Sequence, residues 1–251
     1  MRDARDAPPK MSNRKLSGFT LVELMIVVAI ISVLVGFAVP RFLAARRSAN
    51  ETSAITVMRS IVGAQVSLQS AGSIDTDSDG QGEFGYLGEL TGTRPARMSV
   101  AGSPAAGIAG THEINPSPLL PSMGQVAQSV VTHSGYVFQI WLPGSGNAPM
   151  MGLAEDGNGG KLAGPYPDPN ACETRFCAYA WPVRAGSTGS RAFFVNQEGV
   201  ILETPNRGAT QYSDLGNGPD FDAAFASAGD MSAGFARGLP AADGNTWRPV
   251  Q

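Results

Sequence analysis

Residues 19–39 form an unbroken apolar run of 21 residues in which Glu23 is the only charged side chain. An apolar helix of ~20 residues, rising ~1.5 Å per residue, spans a bilayer. No other feature constrains the fold as strongly, because a carboxylate does not belong in a membrane segment without a partner. At the bilayer centre an acid costs roughly 2.5–3.5 kcal/mol on insertion scales, which marks it as a functional site. A secretory signal peptide has an apolar core of only about 7–15 residues followed by a small-residue cleavage site. This run is longer, and Pro40-Arg41-Phe42 after it suits signal peptidase poorly. A plain signal anchor would have the length but no use for Glu23.

Ahead of the run lies a basic stretch, with Arg2, Arg5, Lys10, Arg14 and Lys15 against Asp3 and Asp6. An excess of Lys and Arg favours a cytoplasmic N-terminus. Arg41, Arg46 and Arg47 put positive charge beyond the span as well, so charge alone leaves the orientation open. The junction reads Lys15-Leu16-Ser17-Gly18-Phe19-Thr20-Leu21-Val22-Glu23. It resembles the prepilin-type cleavage and methylation motif of type IV pilins and type II secretion pseudopilins.

That resemblance implies a leader, residues 1–18, cut after Gly18 by a prepilin peptidase that also methylates the new N-terminal Phe19. It makes Glu23 the acid at mature position five and Pro40 the proline that commonly kinks or melts the long helix of this family. It implies a bacterial inner-membrane protein with a cytoplasmic N-terminus and a periplasmic head. Its partners would be membrane lipid, an inner-membrane assembly platform and other pilin copies. Its destination would be a surface pilus or a periplasmic pseudopilus. The motif covers about a tenth of the chain.

The chemistry supports the same reading. Cleavage at Gly18 creates an α-amino group with a pKa near 7.7–8.0, cationic at neutral pH. Glu23 lies one helical turn along, so the amine of one subunit can meet the Glu23 carboxylate of a neighbour in a filament. Removing one partner of such a buried pair typically costs about 3–5 kcal/mol, which suits the pair to fixing register. A head-to-tail contact of this kind propagates into an open filament.

Beyond Pro40 the spacing of Ala54, Met58, Ile61, Gln65 and Leu68 predicts an amphipathic continuation over residues 40–70. Residues 19–70 would then form a helix ~78 Å long, interrupted at Pro40, whose N–H is missing. The stripe is read as the face on which a head packs. After Ala71 the composition shifts: 28 of the 31 glycines and 15 of the 18 prolines lie there. Residues 71–251 therefore read as one loop-rich extracytoplasmic head with short strands. The strand candidates are residues 136–142, 178–181, 192–195 and 200–203, the last two flanking a hairpin turn at residues 196–199. The fold class is α+β: a long N-terminal helix packed on an antiparallel sheet, pilin-like. Residues 91–131 and 205–251 show little periodicity.

A second pattern with chemistry is Asp75-Thr76-Asp77-Ser78-Asp79-Gly80-Gln81-Gly82-Glu83. Alternating acids before a glycine resemble the front half of an EF-hand loop, which wraps Ca²⁺ in hard oxygen ligands. Tyr86 stands where the bidentate Glu of that loop is expected, so a calcium site of Asp75, Asp77 and Asp79 would take Glu83 as a late ligand. The opposing reading is a solvated acidic turn. Gly80, Gly82 and Gly85 also match the dinucleotide pattern, but no strand precedes them and no βαβ unit surrounds them.

Cys172 and Cys177 are the only cysteines. An oxidising compartment favours a disulfide between them, over free thiols and well over zinc, which would need two further ligands. His112 and His133 are read as isolated loop histidines, and no nucleophile–base set is apparent, so no enzyme is indicated. Removing the leader moves the net charge from −3 to −6, which disfavours nucleic acid as a partner. Two functions fit: a filament subunit assembled through its N-terminal helix, or a membrane-anchored extracytoplasmic protein, with or without calcium, that never polymerises.

Overall fold

The computed structural model describes residues 18–144, 146–208 and 210–250. The leader expected over residues 1–18 lies, apart from Gly18, outside them. The chain divides into two units, Met1–Leu43 and Ala44–Gln251. Helix α1, Leu21–Ser70, contributes to both.

In the first unit the start of α1 is fixed locally. The Thr20 amide and hydroxyl donate to Glu23 Oε2 at 2.9 and 2.7 Å, and the Glu23 amide donates to Thr20 Oγ1 at 3.2 Å. This reciprocal capping box satisfies two backbone donors that a helix start leaves unpaired. The expected interruption at Pro40 is not seen: α1 runs through it as helix. Proline removes one backbone donor, but the bonds of the turns on either side keep the chain helical here.

In the second unit α1 has one buried face, formed by Glu51, Ala54, Met58, Ile61, Ala64, Gln65 and Leu68. Steps of three and four residues bring these side chains onto one stripe. After the helix come α2 (Leu87–Leu90) and a separate two-stranded ribbon of β1 (Met98–Val100) and β2 (Ser103–Ala105). A 3-10 turn at Pro121–Gly124 then leads to the main sheet. Its strands are β3 (Val131–His133), β4 (Tyr136–Pro143), β5 (Gly152–Ala154), β6 (Cys177–Pro182), β7 (Ala192–Asn196), β8 (Leu202–Thr204) and β9 (Arg248–Pro249). Helix α3, Pro169–Cys172, sits between β5 and β6.

All pairings in this sheet are antiparallel, in the order β3-β4-β6-β7-β8-β9, with β5 also pairing β4. The four strands read from the sequence correspond to β4, β6, β7 and β8. In the turn between the last two, the Gly199 amide donates to the Asn196 carbonyl at 2.9 Å, with Gly199 at φ +71°. That left-handed conformation suits glycine.

The strands read as near-continuous apolar runs because the sheet is covered on both faces, the logic that applies to fully buried strands. Phe138, Ile140, Ala178, Ala180, Phe193 and Val195 pack with the α1 stripe. The alternate positions Val137, Tyr179, Trp181 and Phe194 face a second core, closed by Tyr212, Phe221, Phe225, Met231 and Trp247. Residues 210–247 thus lay turns over the outer face, anchored by aromatic rings rather than regular structure. Phe194 meets Phe225 edge-on at 5.6 Å and Trp247 at 6.2 Å. Trp181 Nε1 donates to the Asp214 carbonyl at 2.6 Å. The indole thereby buries area while its polar tip keeps a partner.

Polar clamps tie α1 to the sheet. Arg191 on the β7 side holds Glu51 of α1 at 2.9 Å and Glu203 of β8. Asn50 Nδ2 donates to the Thr188 carbonyl at 2.8 Å.

Candidate assembly segment and acidic loop

The apolar start of α1 is the one candidate membrane span among the described residues, and none of its most apolar stretch is buried. Phe19 is 82% exposed, and Leu24, Ile30, Leu34 and Phe37 are exposed around the helix. Glu23 is exposed too, and its carboxylate is engaged only with Thr20 among the described residues. A Cβ built on Gly18 would meet nothing within 4 Å, so nothing in this chain's own packing requires glycine there.

In the head, residues 75–80 turn back on themselves. The Ser78 and Gly80 amides donate to Asp75 at 2.7 and 3.0 Å, and the Gln81 amide donates to Asp79 at 2.8 Å. One carboxylate oxygen from each of Asp75, Asp77 and Asp79 lies within 4.8 Å of the others. The three acids singled out by spacing therefore do converge.

Glu83 does not join them. Its carboxylate turns into the head, accepts from the Thr76 amide at 2.6 Å and from the Thr76 hydroxyl, and pairs with Arg97 at 3.1 Å. Arg97 explains the difference. Its side chain is fully buried, so its charge must be matched locally. Its Nε pairs with Glu89 at 3.0 Å, and its Nη2 donates to the Phe84 carbonyl at 2.6 Å. Burial alone would lower the Arg97 pKa; Glu89 first, and Glu83 with it, outweigh this and hold it above its ordinary value. Gln65 on α1 completes the knot, exchanging bonds of 2.7 and 2.9 Å with Gly85.

The disulfide expected between Cys172 and Cys177 is not formed; both thiols are free and buried. The reason is topological. Cys172, at the end of α3, belongs to the core beneath α1, whereas Cys177 opens β6 on the opposite face, with its Sγ 3.6 Å from the Phe221 carbonyl oxygen. Burial pushes both thiols up, so both stay protonated. His112 lies in a bend, its Nδ1 accepting from the Ile108 amide at 2.9 Å. His133 is not a loop residue as expected but ends strand β3.

Four buried acids, Glu51, Glu89, Glu155 and Glu173, were not singled out from the sequence; the first two pair with arginines and the last two, among the described residues, do not. Glu155 Oε2 accepts from the Gly88 and Gly160 amides at 3.2 and 3.0 Å, while its Oε1 has no partner among the described residues. Burial pushes its pKa up to about 8. Glu173, the residue after α3, is buried and likewise keeps an unpartnered Oε1 among the described residues. Both lie in loops, without the periodicity or repeated spacing that would have singled them out.

Residues 13–39 match the family model described as the prokaryotic N-terminal methylation motif. Residues 39–214 match that of a protein of unknown function (DUF2950). Among curated proteins, the chain is 37% identical over 89 residues to the type IV major pilin protein PilA of Myxococcus xanthus. That match covers 36% of this chain and 40% of the relative. It is also 42% identical over 65 residues to the type IV wide pilus major component PilA4 of Thermus thermophilus. There it covers 26% of this chain and 47% of the relative. The chain thus spans less than half the length of these two relatives, and no solved structure matches it significantly. By residues 39–214 the chain belongs to the DUF2950 family, and its N-terminal methylation motif and its likeness to these two proteins support a relation to type IV pilins.

Proposed function

We propose that this chain is a structural subunit of a type IV pilus, cut after Gly18, methylated at Phe19 and assembled through the apolar part of α1. The observation that carries the proposal is the wholly exposed apolar segment beginning at Phe19 with its single acid at Glu23. An exposed apolar surface of this kind demands lipid before assembly and neighbouring copies after it. Gly18, free of any packing demand, fits recognition by a peptidase rather than a need of the fold. Both curated relatives are named as pilus components, which favours a pilus over a secretion pseudopilus. The inner-membrane location, the cytoplasmic N-terminus, the peptidase and the assembly platform belong to the same proposal.

The capping box supplies a second reading. Glu23 has a local role in starting α1, so a membrane anchor that never polymerises would also use it. Two substitutions separate the readings. Glu23→Gln keeps a residue able to close the capping box but removes the charge; Glu23→Ala removes both. If Glu23 neutralises a neighbour's N-terminal amine, loss of the pair costs about 3–5 kcal/mol. Sheared filament should then fall by roughly a hundredfold or more in both variants, with leader cleavage unchanged. Normal filament from Glu23→Gln would leave only the capping role.

A further inference from the structure

Strand β4 carries a single amide or charged side chain, Gln139. Alternation places it on the outer face of the sheet, on the side of Val137 and opposite Tyr179 of β6. Gln139 is only 9% exposed, and its side-chain amide has no hydrogen-bond partner among the described residues. An amide in that state is costly unless water or a ligand satisfies it. The surface it keeps lines a cavity of about 310 Å³ between the sheet and the loop at residues 215–220.

Trp141 and Leu215 give this cavity apolar surface, and Gln128 and Asp220 add polar groups beside Gln139. Trp141 is half-buried, and its indole N–H likewise has no acceptor among the described residues. Trp181 completes the lining, with its own N–H spent on the Asp214 carbonyl. Gly218 lets the loop lie close on that ring, since a Cβ there would collide with it. Gln128 is held by a two-residue turn in which Ala127 and Val130 exchange backbone bonds of 2.9 and 3.2 Å. Gln128 stands at φ +56° and Ser129 at φ +64°. Turns of that kind favour Asn-Gly, so Gln-Ser holds backbone strain here, and such strain gathers at functional sites.

The lining selects the chemistry of a ligand. No lysine, arginine or histidine belongs to it, and Asp220 brings a carboxylate that no cation pairs among the described residues. Phosphates and carboxylates, which call for cationic partners, are therefore poorly matched. A wholly apolar ligand would bury Gln139 without a partner. An ammonium only donates, and would leave the N–H groups of both amides unused. A molecule whose edge both donates and accepts, and whose face is carbon-bound hydrogen, satisfies every wall at once. We propose that this cavity binds a neutral sugar residue of a glycan, with Gln139, Gln128 and Asp220 taking its hydroxyls and its C–H face lying against Trp141. The volume stands at the lower end for ligand pockets, which suits one ring rather than a chain. The site lies wholly in the head and does not rest on filament assembly.

The test is saturation-transfer NMR and tryptophan fluorescence of the full chain, in a detergent without a sugar headgroup. The probes are glucose, galactose, mannose and N-acetylglucosamine, with inorganic phosphate as the charged control. At least one sugar should bind with a dissociation constant on the order of 1 mM, as its small number of non-hydrogen atoms allows. Binding should also shift the emission of the half-buried Trp141. Gln139→Leu should weaken binding about tenfold or more. The same variant should melt at or above the unaltered chain, since it removes an unpartnered amide from an apolar face; this shows that it folds. Absence of binding by all of these sugars at about 20 mM, well above that constant, would overturn the site. So would undiminished binding in Gln139→Leu, which would place the sugar elsewhere. Phosphate binding as strong as the sugar's would overturn the assignment to a neutral ligand.

Discussion

The two halves of α1 share one backbone but present opposite surfaces. Up to Leu43 the helix is largely apolar around its circumference and exposed; from Ala44 it carries one buried stripe and one polar face. The difference shows where each half finds its stabilisation. The second half is completed inside the chain, by a sheet whose alternate residues meet its stripe. The first half has no such cover among the described residues, and the acid at its start has no counter-charge among them.

The sharpest break of this contrast is Arg97, which holds Glu83, Glu89 and the Phe84 carbonyl together beside Gly85, where Gln65 of the helix is bonded. Arg97→Met leaves two carboxylates buried without compensation and should cost about 3–5 kcal/mol of head stability by denaturant unfolding in detergent. Next, Ile61→Ala empties a fully buried position on the stripe and should cost about 2–5 kcal/mol in the same assay.

Glu155 offers a test by pH. Its folded pKa, about 8, lies above the ordinary 4.5, so between these values the folded state holds a proton that the unfolded state has released. Stability should therefore fall as pH rises from 4.5 to about 8, by at most about 1.4 kcal/mol per pH unit from this group. Glu155→Gln should flatten that slope, and an unchanged pH profile would show that water reaches this carboxylate. The smallest expected effect lies in the other half: Val33→Ala, at a position 62% exposed, should leave head stability within about 0.5 kcal/mol. A large loss there would erase the contrast.

How much of this was legible depended on whether the signal was local. The stripe from Ala54 to Leu68 was readable because a helix repeats its buried positions every three or four residues. The strands β4, β6, β7 and β8 were readable as apolar runs, but their reason was not: the cover over the outer face comes from residues 210–247. Those residues hold themselves with scattered rings such as Phe221, Phe225 and Trp247, which have no period. The capping box at Thr20 and Glu23 is local, three residues apart, yet it lies inside an apolar run whose length dominates the pattern. Asp75, Asp77 and Asp79 were legible by spacing, whereas the burial of Glu155 and Glu173 was not. Cys172 and Cys177 misled because closeness in sequence does not show that a sheet separates two side chains.

The proposed function requires that residues 1–18 be removed and that the apolar half of α1 then enter a filament. It is tested most directly by mass spectrometry of the N-terminal peptide from sheared surface filaments of the native cell. The expected peptide begins at Phe19 and carries an N-methyl group. A peptide retaining Gly18 and the residues before it, or absence of the chain from the filament fraction, would contradict it.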